Sequence, residues 1–244
     1  MIEAVSYEVS AEAVVVQSRA PLTVLSSAVA GGGLGRARSI VNLHVPRNWA
    51  PAGHGAVGPW EAALADFASR RGLPVPVVGL ATSAWTERAA VAREEEAGIE
   101  VLLLASVGLG NPTAAGISRR GVAAASTINI IAVVEAQLPP AALVNLVITV
   151  TEVKTAVLGA AGVRSPDGAP ATGTSTDAVV VAATGRGRVC DFGGPISDAG
   201  AVTARAARRA LERGVQAWLG GRARPGQPQP APGPEPRGRG HASE

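Results

Sequence analysis

The sequence predicts an α+β fold, a mixed and mostly antiparallel sheet or sheets layered with helices in a single domain. Three observations lead there. Short β-branched apolar runs recur at Val14–Val16, Ser39–Val45, Val75–Ala81, Ile99–Ser106, Ser126–Glu135 and Ala178–Ala183. Only three stretches carry helical spacing, so strands and helices do not alternate as in a parallel βαβ protein. And 47% of the 244 residues are hydrophobic while 17% are charged, the balance of a chain with a packed core.

Taken in order, Val5, Tyr7 and Val9 and then Val14–Val16 read as an opening hairpin. Pro21–Val29 reads as a further strand ended by the glycines at 31–33 and 35, and Ser39–Val45 as the next. Residues 47–58 are loop-like, with Pro51, Gly53, Gly55 and Gly58. Trp60, Leu64 and Phe67 share one helical face, and Gly72 stops that helix. Ala89–Ala92 and Ile99–Ser106 form two strands, with Glu94–Glu96 and Gly98 expected at a solvated turn between them.

Pro139–Pro140 opens a helix that runs to about Gly159 and is apolar on nearly all sides, which predicts a buried central helix. Ser197 or Asp198 caps a last helix reaching about Leu219, with Arg205, Arg208, Arg209 and Arg213 on its wet side. Residues 1–220 then make one domain, and 221–244, rich in proline, glycine and arginine, a disordered tail.

Charge and composition exclude several functions. The four arginines and two glutamates of residues 222–244 supply +2 of the formal +3 (4 − 2), so the body is close to neutral. A nucleic-acid partner needs a basic face, and aromatics for base stacking are scarce at 3%. Cys190 is the only cysteine, so neither an internal disulfide nor a cysteine-based zinc site can form. His44, His54 and His241 have no metal-motif spacing, and no metal is expected. The stretches Ile128–Val134 and Ala141–Val150 fall short of the roughly 20 residues of a membrane span, and no signal peptide is recognisable. A cytoplasmic protein with no membrane partner is expected; a homo-oligomer stays open.

Chemistry has a few places to sit. Thr174, Ser175, Thr176 and Asp177 put three hydroxyls and a carboxylate into four consecutive residues at the mouth of a core strand. Amide hydrolysis needs an attacking oxygen, a proton acceptor and oxyanion donors, and this segment offers the first and third. A capped turn whose hydroxyls serve the local backbone is the alternative. On the long helix, Asn145, Thr149 and Glu152 fall at i, i+4 and i+7 on one face, with Lys154 and Thr155 further round. A glutamate and the chain's only lysine in so apolar a helix are costly unless paired or functional. Glu152 is thus a candidate general base and Lys154 a candidate for neutralising a carboxylate or an oxyanion; a structural ion pair is the other reading.

Asn129, in the polar opening Ser126–Asn129 of a buried strand, is either an oxyanion donor or a satisfied core amide. Asn42 and His44 face the same way on their strand, and His44 is a proton shuttle, a ligand-facing donor or a structural histidine. Gly31, Gly33 and Gly35 do not make a dinucleotide fingerprint, because Arg36 stands where its last glycine belongs and a strand follows.

Six segments in order resemble the adenosylcobinamide amidohydrolase family. They are LSSAVAGGGLGRARSIVNLHVP at Leu25–Pro46, VGLATSA at Val78–Ala84, the Asn111–Pro112 turn, STINIIAVVEAQL at Ser126–Leu138, LVNLVITVTEVKTAVL at Leu143–Leu158 and ATGTSTDAVVVAATG at Ala171–Gly185. Ser126 and Ser175 stand where that family carries glycine. The resemblance implies hydrolysis of the amide that joins a corrin propionate to aminopropanol, turning adenosylcobinamide into adenosylcobyric acid. It implies a cobalt corrinoid as substrate and no protein-bound cofactor. Glu152, Lys154, Thr174, Ser175, Asp177 and Asn129 are then the catalytic candidates. Ser26, Gly32, Gly33, Arg36, Asn42, His44, Asn111, Thr127, Thr149 and Thr176 are the substrate-binding ones.

Overall fold

The computed structural model describes residues 2–46, 58–120 and 126–221. Most of the expected loop after Pro46, and the expected tail from residue 222, lie outside the described residues.

The opening hairpin forms from β1 (Val5–Val9) and β2 (Ala13–Ser26), which is one long strand rather than two. Its register against β3 (Gly33–His44) slips between Gln17 and Leu22, on either side of Pro21. A proline cannot donate to the ladder, and the irregularity lets the strand bend there. The expected breaks are thus absorbed: Gly33 and Gly35 belong to β3, where the twisted edge tolerates them. Helix α1 (Gly58–Arg70) and β4 (Val77–Thr82) follow, and β4 pairs in parallel with β3.

Strands β5 (Ala90–Glu96) and β6 (Ile99–Val107) turn at Ala97 and Gly98, both with positive φ (52° and 75°). The acidic run therefore lies within β5 and not at the turn. Glu94 pairs with Arg209 at 2.7 Å and Glu96 with Arg205, so arginines expected to face solvent reach back to the sheet. After the short β7 (Pro112–Thr113) come β8 (Ile128–Gln137), α2 (Pro140–Ala160), the short β9 (Gly173–Thr174), β10 (Ala178–Val189) and α3 (Asp198–Leu219). Ser197 caps α3, its hydroxyl accepting from Gly200 N–H at 3.2 Å.

The main sheet runs β4-β3-β2-β10-β8-β6-β5, with β1 added on β2. Its β3–β4 and β8–β10 pairs are parallel and its other pairs antiparallel, the mixed, mostly antiparallel sheet expected. The sheet folds over at the β2–β10 junction. Ile40, Val78 and Leu80 of β3 and β4 share one core with Leu102, Leu104, Ile131 and Val133 of β6 and β8, strands that are not their neighbours in the sheet. Asn129 of β8 also bonds Asn42 of β3 and Ala81 of β4, which strands so far apart in the order reach only face to face. The result is four layers. Helix α1 covers the outside of the β2–β4 half through Leu64 and Phe67, and α2 and α3 cover the outside of the β10–β5 half. Each fully buried Leu or Val along these faces is worth about 1.5–3 kcal/mol of hydrophobic transfer.

Helix α2 departs from expectation in one respect. It is long and apolar enough to cross a membrane by length and composition, but half of it is buried against protein. Leu143, Leu146, Val150 and Val157 pack on the sheet and α3, while Val144 and Ile148 are 47% and 50% exposed. It has an inner face and an outer face rather than burial all round.

Candidate functional site

The parallel pairing of β8 and β10 sets Asn129 opposite Ala178, so the segments leading into both strands emerge at one edge of the sheet. One is Ser126–Thr127; the other is the Thr174–Asp177 turn. Lys154 reaches the same place from the inner face of α2.

Asp177 is the hub. Its Oδ2 accepts from Lys154 Nζ and from Thr174 N–H at 3.0 Å. Its Oδ1 accepts from the Thr174 hydroxyl and from Ile128 N–H at 3.0 Å. The Lys154 and Asp177 side chains are each only 9% exposed. Two buried opposite charges this close, with the carboxylate's acceptor sites occupied, form a satisfied pair. Gly173 is a condition of this packing: a Cβ there would collide with Asp177 Oδ2 and lie 2.8 Å from Lys154 Nζ.

A second string of polar groups continues into the space between the two halves of the sheet. Thr127 Oγ1 donates either to Thr176 O at 2.8 Å or to Asn129 Oδ1 at 3.1 Å. Asn129 Nδ2 donates to Asn42 Oδ1 at 2.8 Å and to Ala81 O at 3.0 Å, and Asn42 Nδ2 donates to Ser106 Oγ at 2.7 Å. Both N–H bonds of Asn129 are thus committed, and the side chain braces the two half-sheets instead of facing an oxyanion. At the mouth, Ser175 and Thr176 are exposed, and Asn111 Nδ2 donates to Ser175 Oγ. His44 is half-buried on the face of β3 shared with Asn42, its Nδ1 3.0 Å from Ala84 O.

The other expected site residues go elsewhere. Glu152, expected in the apolar interior, stands exposed on the outer face of α2. It lies two residues, about 200° of helix rotation, from Lys154, and the sheet claims the lysine's side. It is Lys154 and not Glu152, the candidate general base, that α2 brings to the Thr174 turn. Thr149 is buried but bonds Gly193 O at 2.9 Å, tying α2 to the segment before α3. Ser26 Oγ accepts from Ala28 N–H at 2.8 Å, a local turn. Gly32 and Gly33 are exposed where the chain enters β3: a Cβ on Gly32 would press on Ala28 O, and Gly33 has φ +91°. Arg36 is exposed and donates to Pro21 O at 3.1 Å.

Two residues of the region escaped the sequence reading. Ser106 was legible in principle, a lone hydroxyl on the inward phase of β6 with Leu102 and Leu104. Ser83, in the VGLATSA segment, is buried with its Oγ unpartnered among the described residues, and its residue type alone gives no sign of that. Among the described residues no cluster of three His, Cys, Asp or Glu can hold a metal ion. A cleft of about 500 Å³ lies between α1 and β4, lined by Ala30, Leu64, Leu73 and Val77 among others, and shares no residue with the network.

The model of the adenosylcobinamide amidohydrolase family matches residues 2–223 of this chain. The chain belongs to that family. The amidohydrolase is 34% identical over 187 residues to a protein of Halobacterium salinarum named adenosylcobinamide amidohydrolase, across 74% of each chain. Among solved structures it is similar to a Burkholderia sp. beta-aminopeptidase (TM-score 0.43, 15% identity, 85% of this chain and 78% of that one). It is similar also to the PH0078 protein of Pyrococcus horikoshii OT3 (TM-score 0.43, 12% identity, 86% and 78%).

Proposed function

We propose that this amidohydrolase cleaves the aminopropanol amide of adenosylcobinamide, releasing adenosylcobyric acid for the late assembly of adenosylcobalamin. The observation that carries the reading is the joining of Lys154, Asp177 and Thr174 to the Ser126–Thr127 segment at one sheet edge, in a chain of this family. An ammonium has three donors, and Asp177 engages one of them. The others polarise the amide carbonyl, helped by N–H groups of the Thr174–Asp177 turn, and stabilise the charge that grows on its oxygen. Asp177, saturated by its four hydrogen bonds, holds Lys154 and Thr174 in place. Water is the nucleophile of this reading; the Thr174 hydroxyl, which donates to Asp177 and keeps its oxygen lone pairs, is its rival, and an acyl-enzyme seen by intact mass spectrometry would put Thr174 in its place. The exposed Ser175 and Thr176, with the half-buried Asn111 beside them, meet the substrate's peripheral amides.

The reaction needs no protein-bound metal or cofactor, because the cobalt belongs to the substrate. A small corrinoid is the partner, without nucleic acid or membrane, and the cytoplasm, where corrinoids are assembled, is the expected place. Incubation with adenosylcobinamide, followed by chromatography of the corrinoids and an assay for aminopropanol, tests the reading. Equimolar release of both products is expected. Corrinoid bound but recovered intact would replace the enzyme with a carrier.

A further inference from the structure

We infer that His44 is the general base of the hydrolysis, an inference that rests on the reading above. Hydrolysis by water at neutral pH needs a proton acceptor with a lone pair to spare. The carboxylates near the network do not provide one. Asp177 accepts four hydrogen bonds, and Glu152 is on the outer face of α2. His44 does. Its Nδ1 lies 3.0 Å from Ala84 O. A carbonyl oxygen only accepts, so the proton of the neutral ring is on Nδ1, and Nε2 presents its lone pair.

The ring stands beside the network. His44 lies on β3 on the same face as Asn42, which bonds Asn129. Ala84, which orients the ring, packs where a Cβ on Gly108 would touch both its side chain (3.1 Å) and Ser126 Oγ (2.8 Å). Ser126 O in turn accepts from Thr176 Oγ1 at 3.4 Å. The groups from His44 through Ala84 and Ser126 to Thr176 thus form one contiguous wall.

In the step, the water oxygen bonds to the amide carbon as its proton passes to Nε2. The C–N bond then breaks, and the imidazolium returns that proton to the departing nitrogen. The products are the corrin carboxylic acid and aminopropanol, with no change of oxidation state.

His44→Asn keeps a donor for Ala84 O and removes the base. Its kcat for aminopropanol release should fall about 100- to 10,000-fold, with KM within about threefold and melting unchanged. A variant kcat within about threefold of wild type overturns the inference while the reading stands. No release by the wild type sinks the reading itself. Should His44→Asn not fold, nitrogen NMR of the wild type decides, since the chain has only three histidines. The Nδ1–H tautomer at His44 supports the base, and the Nε2–H tautomer overturns it. A base-on shift in the corrinoid's visible spectrum on binding would place Nε2 on the cobalt and overturn it too.

Discussion

Lys154 and Glu152 stand two residues apart on one apolar helix and meet opposite fates. The lysine is drawn under the sheet edge and paired with Asp177, and the glutamate is left in solvent. A charge in a greasy helix thus says nothing of its own burial. What decides is which side of the helix the sheet occupies, and the sheet takes the side of Leu146, Val150, Lys154 and Val157. Lysine tolerates that position because its long stem packs with the apolar neighbours while its ammonium reaches the carboxylate.

Several substitutions can break or sharpen this contrast. Lys154→Met should have the largest effect, leaving Asp177 buried and unpaired at a cost of about 3–5 kcal/mol and abolishing turnover. Denaturant unfolding and the aminopropanol assay check both parts. The double variant Lys154→Met, Asp177→Leu should recover much of the stability and none of the activity. Recovered turnover there would take the pair out of the chemistry.

Leu146→Ala, on the inner face, should cost about 2–5 kcal/mol, whereas Ile148→Lys on the outer face should stay within about 0.5 kcal/mol. Similar losses in melting experiments would mean that the two faces are not distinct. Gly173→Ala should lower stability by about 1–3 kcal/mol by pushing Lys154 and Asp177 apart, with activity falling further than stability. Glu152→Gln should do least, keeping kcat within about twofold of wild type; a large fall would restore the glutamate to the mechanism.

The sequence went far with the elements. The six β-branched runs are strands, the three helices lie where spacing and caps put them, and Ser197 caps α3 as its residue type suggests. Local pattern suffices for these, because period and capping are properties of neighbours along the chain. The Thr174–Asp177 turn was legible as well, since hydroxyls clustered before a core strand are visible without coordinates. The side of α2 that holds Glu152 is not legible in the sequence, because α2 is apolar nearly all round and such a pattern has no phase from which to choose an inner side. Pro21 and the glycines after Gly31 looked like strand ends, although a bent strand and a twisted edge accommodate them.

By itself, then, the chain's order of residues determined which segments are strands and helices, the near-neutral body, and the polar segments at which chemistry can occur. Only the tertiary structure decided that the sheet folds over at the β2–β10 junction, that Lys154 and not Glu152 meets Asp177, and that Asn42 meets Asn129 across 87 residues of chain. The physical reason is range. Hydrophobic period and capping act within a few residues, whereas the partner of a buried charge or amide is set by how whole faces pack, and that packing is written in the sum of many small contacts rather than in any one segment.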